Sequence, residues 1–207
     1  MNFNNGAKIP LCLIKDFAYQ AKIASFARTD EKTVLTDNTS IYSYRNFNDA
    51  KYAGLIYSDI YNGNIVEGGQ ETISFDLFPV WRNQYYGGVR AYFFSHESSL
   101  SDLVSSLRRV PNVVTAFLKK ALLATPKEFP VRGQKRFEAS ISEYEHDVVK
   151  GQWLYTNEWE GIPLFDIDDA FASFSGYEKI FFNGNEVYWH SYHGGLVLDK
   201  YFPIYCT

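Results

Sequence analysis

Between Glu71 and Leu77 the side chains alternate. Glu71, Ile73, Phe75 and Leu77 fall on one side, and Thr72, Ser74 and Asp76 on the other. A period of two is the signature of a strand with one buried face. The rhythm returns at Glu178, Ile180 and Phe182. Extended along the chain, it predicts two trios of strands: 52–61, 71–77 and 80–86, then 152–159, 178–182 and 186–193. Asn183-Gly184-Asn185 supplies a tight hairpin turn in the second trio. Phe78-Pro79 is assigned the turn of the first, because proline cannot donate to a ladder.

Elsewhere the period is helical. Leu13, Ile14, Phe17, Ala18 and Ala21 share one stripe, with Pro10 at a first helical position, where its missing N–H costs nothing. Leu100, Leu103, Val104 and Leu107 form a second stripe. Val113, Val114, Phe117, Leu118, Ala121 and Leu122 form a third, and Pro111 is predicted to break or restart the helix between them. The segment 125–133, "TPKEFPVRG", reads as a loop.

The two trios align with each other. Without a gap, Glu71 falls on Glu178, Val80 on Val187, Trp81 on Tyr188, Tyr85 on Tyr192 and Gly87-Gly88 on Gly194-Gly195. Upstream, "YSDIYNG" matches "YTNEWEG", and the second copy carries an insertion, "IPLFDIDDAFAS", a predicted loop. The expected fold is therefore α+β: a tandem duplication of an αβββ unit, with antiparallel sheets and packed helices. Its halves, 1–95 and 96–207, would be related by a pseudo-two-fold axis within one compact domain. The paired glycines, Gly87, Gly88, Gly194 and Gly195, are assigned a structural task, either positive φ or close approach by another segment.

Aromatic residues make up 18% of the 207 residues. That fits a strand-rich core and equally a tyrosine-lined binding surface. The net charge of −4 selects no partner, but basic residues crowd 108–136 and acidic ones 138–169. A basic run attracts nucleic acid or another anion, and more often it is a solvated helix face. Cys12 and Cys206 stand near opposite ends without zinc spacing or a disulfide framework, so no metal site or cofactor is expected. The N-terminal residues show no leader pattern and no apolar run reaches membrane-spanning length, so the expected setting is the cytoplasm, with no membrane partner.

Glu71 and Glu178 each open an apolar strand face. A carboxylate so placed is a candidate acid, base or cation ligand with a raised pKa. The plainer assignment has each accepting backbone N–H bonds from a glycine turn. Trp81 and Tyr85 share a face with Asn83, and Tyr188 and Tyr192 share one with His190. An aromatic wall beside a glutamate suits a cationic or flat heteroaromatic guest. His190 and His193 fall on opposite strand faces, a poor geometry for one metal, and His96 and His146 have no ligand partners in the pattern. The expected site is a groove between the halves lined by Tyr57, Tyr61, Trp81, Tyr85, Tyr155, Trp159, Glu178, Tyr192 and His193.

The stretches "FLKKALLATPKEFPVRG", "GQWLYTNEWEG" and "FSGYEKIFFNGNEVYWHSYHGGLV", with "PVWRNQYYGGV" in the first copy, resemble an uncharacterised family of small bacterial domains of unknown function. That family carries the tandem YYGG/YHGG motif and stands alone or joins helix-turn-helix regulators. The resemblance covers most of the chain and supports the fold. It implies no activity, and no helix-turn-helix module is read here. The functional reading is a non-enzymatic binding module for a small ligand or a protein partner. One alternative is a hydrolase- or lyase-type enzyme using Glu178 or Glu71 with His190 or His193. The other, less favoured, is a regulator contacting nucleic acid through 108–136.

Overall fold

The computed structural model describes residues 9–25, 32–37, 39–63, 65–90, 100–127, 132–141, 151–161, 171–197 and 204–205, without the side chains of 100–110, 141 and 204–205. The strands are β1 (Ile9–Pro10), β2 (Thr33–Val34), β3 (Ser40–Tyr44), β4 (Leu55–Gly63), β5 (Val66–Phe75), β6 (Phe78–Val89), β7 (Arg136–Ile141), β8 (Gly151–Gly161), β9 (Ser173–Phe182), β10 (Asn185–Leu196) and β11 (Ile204–Tyr205). The helices are α1 (Leu11–Ala24) and α2 (Leu100–Leu123). β1 and β11 form a short parallel pair, and the other nine strands make one sheet in the order β2-β3-β4-β5-β6-β10-β9-β8-β7.

This sheet overturns the expected α+β duplication of αβββ units with separate antiparallel sheets. The protein is β-rich, with both trios in one antiparallel sheet joined where β6 pairs with β10. An open β6 edge would leave a row of backbone groups unpaired, and β10 supplies their partners along Trp81–Val89. The outer strands β2, β3 and β7 also enlarge the sheet beyond the predicted trios.

The first hairpin and the helices also differ in detail from expectation. The β5–β6 hairpin turns at Asp76-Leu77, both at positive φ (47° and 73°). Phe78 and Pro79 instead lie in β6, opposite Phe75 and Ser74, beside a register shift at Ile73/Ser74 where a missing donor is tolerated. The Asn183-Gly184 turn is the tight hairpin expected, with φ of 48° and 82°. Helix α1 starts at Leu11, with Pro10 as its extended cap residue. Helix α2 runs through Pro111 without a break. Proline inside a helix costs about 3 kcal/mol, and the buried stripe Val113, Val114, Phe117, Leu118, Ala121 and Leu122 offsets it.

Strand alternation places Tyr57, Ile73, Trp81, Tyr155, Ile180 and Tyr188 on one face of the sheet, and both helices pack there. Around α1 the core gathers Leu11, Ile14, Phe17, Leu55, Tyr57, Ile73, Trp81, Phe174 and Tyr192. Around α2 it gathers Phe117, Leu118, Leu122, Trp153, Tyr155, Ile180, Val187 and Tyr188. A band of buried polar side chains lies with them on the same face, including Lys22, Asp59, Glu71, Asn83, Arg132, Asn157, Glu178 and His190. Of the inserted loop, only Phe171, Ala172 and Ser173 fall within the described residues.

Candidate functional site

The polar band is built from inward-pointing strand positions. On one side of the β6–β10 seam, Tyr57 Oη donates to Glu71 Oε1 at 3.0 Å, Asn83 Nδ2 to Glu71 Oε2 at 2.6 Å, and Tyr85 Oη to Asp59 Oδ1 at 2.6 Å. On the other, Tyr155 Oη donates to Glu178 Oε2 at 2.6 Å and Tyr192 Oη to Asn157 Oδ1 at 2.6 Å, while His190 Nδ1 lies 2.8 Å from Glu178 Oε1. The same positions of the two trios thus carry the same bonds, with Asn83 exchanged for His190 and Asp59 for Asn157.

Arg132 joins the two sides. Its Nη2 donates to Glu178 Oε1 at 2.5 Å, and its Nη1 lies 3.7 Å from Glu71 Oε1. Its guanidinium also stands over the rings of Tyr85 and Tyr192, 5.6 Å and 5.9 Å from their centroids. Lys22, at the end of α1, donates to the Arg132 carbonyl at 2.7 Å. The glycines of the seam make this close packing feasible. A Cβ on Gly87 would strike the Trp189 carbonyl and His190, and one on Gly194 would strike the Arg82 carbonyl and Asn83.

Burial alone would raise the Glu178 carboxyl, but the Arg132 charge and the His190 hydrogen bond hold it well below the usual carboxylate range. This reverses the raised pKa expected for Glu178. Nor do the described bonds show either glutamate held by a glycine turn; side chains supply their donors. Asp59 behaves oppositely: burial and the Glu71 charge push it up to about 8. Burial and the neighbouring Arg132 bring Lys22 down to about 7. Burial pushes the phenols of Tyr57, Tyr85, Tyr155 and Tyr188 well above their ordinary value.

These groups border a chamber of about 20 Å³, lined by Lys22, Tyr57, Asp59, Tyr61, Glu67, Glu71, Tyr85, Leu118, Leu122, Arg132 and His190. That is room for a water or a guest of roughly one or two heavy atoms. Tyr61, Glu67 and Tyr85 are its half-buried wall residues, and the others are buried. His190 is 1% exposed, and its Nε2 has no hydrogen-bond partner among the described residues.

Of the nine residues expected to line a groove, Tyr57, Tyr61 and Tyr85 reach this chamber. Glu178, Tyr155 and Tyr192 stand behind it in the hydrogen-bond network. Trp81 is core, stacked on Phe171 at 5.1 Å, and Trp159 packs at the edge of the α1 core. His193 is exposed and contacts Gln84 at 3.2 Å on the opposite face of the sheet. Sequence reasoning passed over Lys22, Asp59, Glu67 and Asn157, and read Arg132 only as part of the basic run 108–136. Asp59 had a signal, since it alternates with Tyr57 and Tyr61. Arg132 had no signal as a buried residue, because it lies in an aperiodic stretch of the sequence.

Among the described residues no metal-binding group of His, Cys, Asp and Glu occurs, and no helix is long and apolar enough to cross a membrane. His96, His146 and Cys206 lie outside the described residues. No curated protein and no solved structure matches the chain. A family model described as a domain of unknown function, DUF5680, matches residues 59–197. That span runs from Asp59 to the end of β10 and takes in Glu71, Arg132, Glu178 and His190. By this match the chain belongs to the DUF5680 family, a domain of unknown function.

Proposed function

We propose that the chain is a binding module that takes a small ligand in the chamber beside β4, β5, β6 and β10. The observation that carries this reading is His190 Nε2, a buried polar atom without a partner among the described residues, on a residue of the chamber wall. Leaving such an atom unpaired costs about 1–3 kcal/mol, which a guest that pairs with it recovers. The setting we propose is a bacterial cytoplasm, with a protein partner such as a helix-turn-helix regulator as the reader of the bound state.

The enzyme built on Glu178 loses support from the geometry. Both its oxygens are engaged by Tyr155, Arg132 and His190, and its ionised form is favoured, so it has no proton to give. One observation favours a different enzyme: Asp59 and Lys22, both on the wall, titrate near neutrality, which suits proton transfer. The nucleic-acid reading has less support. Arg132 is buried, Lys127 pairs with Asp16, and Arg136 pairs with Glu138.

A thermal-shift screen of small polar molecules tests the module. Compounds that stabilise the wild type should stabilise Tyr85→Phe and His190→Gln far less, with both variants folded. Compounds that stabilise all three proteins equally bind elsewhere, and the chamber reading fails.

A further inference from the structure

We infer that the guest of this chamber is an organic ammonium ion, either a small protonated amine or the charged end of an alkylamine, received by Tyr57, Tyr61 and Tyr85 with Asp59, Glu67 and Glu71. The inference rests on the binding-module reading and gives it a ligand class.

The direction of the hydrogen bond at His190 bears on what the chamber accepts. His190 Nδ1 lies 2.8 Å from a Glu178 oxygen and 3.1 Å from Arg132 Nη2. An ionised carboxylate only accepts, and a bare ring nitrogen beside it would be repelled. With the ring neutral and its proton on Nδ1, towards the carboxylate, Arg132 Nη2 bonds Glu178 and not Nδ1, and Nε2 keeps a lone pair. In that tautomer the missing partner is a donor, as an ammonium is and a carboxylate is not.

Charge points the same way. Arg132 is already engaged by Glu178 and Glu71, and the Lys22 ammonium faces the Arg132 carbonyl. Towards the half-buried end the wall offers tyrosine rings with Asp59 and Glu67, and ring faces attract cations. The chain places one of its own ammonium groups at this rim. Lys32 Nζ donates to Tyr61 Oη at 2.9 Å and stands 5.2 Å from the ring centroid. Size agrees. About 20 Å³ admits an ammonium head and excludes a flat heteroaromatic ring. A longer amine would leave its chain outside, past Tyr61 and Glu67.

Binding should then strengthen as pH rises from 6 to 8. Asp59 faces Tyr85 from β6, Glu67 and Glu71 from β5, and the Arg132 charge. It loses its proton near the top of this range, while Lys22 loses its own near the middle and ceases to compete. The experiment is a melting titration with methylammonium chloride against sodium chloride at equal ionic strength, with tetramethylammonium chloride and sodium formate alongside. We expect a saturable rise of about 2–4 °C with methylammonium, larger at pH 8 than at pH 6, and none with tetramethylammonium, which has no N–H. Lys32→Ala should tighten binding about threefold by freeing Tyr61. Asp59→Asn should weaken it about tenfold or more.

Equal effects of methylammonium, tetramethylammonium and sodium overturn the ammonium assignment. A response to formate alone overturns it while leaving a chamber that binds small ligands. Silence from all these probes overturns it too. The binding-module reading falls with it only if the broad screen also finds nothing that separates the wild type from Tyr85→Phe.

Discussion

Asp59 and Asn157 do the same job with different chemistry. Each accepts a hydrogen bond from the tyrosine of the strand two away in the sheet, Tyr85 or Tyr192. Asn157 also donates, to the Gly133 carbonyl at 2.7 Å, and carries no charge. Asp59 is buried next to Glu71, and its carboxyl is pushed up to about 8. A carboxylate whose folded pKa is raised contributes most below its unfolded value, about 3.9 for aspartate, and that contribution is lost as pH rises towards 8. Asp59→Asn should therefore stabilise the fold by several kcal/mol at pH 8 and by nothing measurable at pH 4. Urea midpoints at the two pH values check this, and an equal change at both would refute the assignment. A charge kept at a cost to stability is the pattern expected of a working residue.

The elements show which parts of the architecture the sequence made legible. Tyr57, Glu71, Tyr85, Tyr155, Glu178 and Tyr192 declared themselves through alternation and alignment, because a strand writes its buried face every second residue. Arg132 and Lys22 did not. One lies in an aperiodic stretch of the sequence, and the other falls in the last turn of a helix, which reads equally well as solvated. The two hairpins divide the same way. Asn183-Gly184 is visible as a turn, whereas Asp76-Leu77 holds positive φ without glycine, and Leu77 is 81% exposed at its tip. Leu77→Gly should then stabilise the protein by about 0.5–1 kcal/mol without touching the chamber. Gly87→Ala should do the opposite and cost several kcal/mol, since its Cβ would meet the backbone of β10. Denaturant unfolding of both variants separates a strained turn from a seam that requires glycine. A tolerated Gly87→Ala would mean that the seam can open.

Across the whole molecule, the buried titrating groups set the pH at which the sheet is most stable. Glu178 is held low by Arg132 and His190, and Asp16 is brought down to about 2 by its bonds to Lys127, Tyr52 and Lys51 against the pull of burial. Depressed carboxylates stabilise above their unfolded values, about 4, and that support is lost as pH falls below them. Asp59 works in the other sense and erodes stability from about pH 4 to 8. Lys22 is neutral in the fold above about pH 7, while the unfolded chain keeps its proton to about 10.4. Stability therefore recovers with rising pH across that interval. Above about pH 10 the unfolded phenols ionise while Tyr57, Tyr85, Tyr155 and Tyr188 hold their protons in the fold, so stability falls again. The expected profile has its maximum near pH 4, a minimum between about 7 and 8, and a second maximum before the alkaline loss. Urea midpoints from pH 3 to 11 would trace it. Asp59→Asn should fill the minimum, and Lys22→Met should flatten the recovery beyond it. A single broad maximum at neutral pH, unchanged by either substitution, would mean that neither group titrates inside the fold, and the pH dependence inferred for the chamber would fall with them.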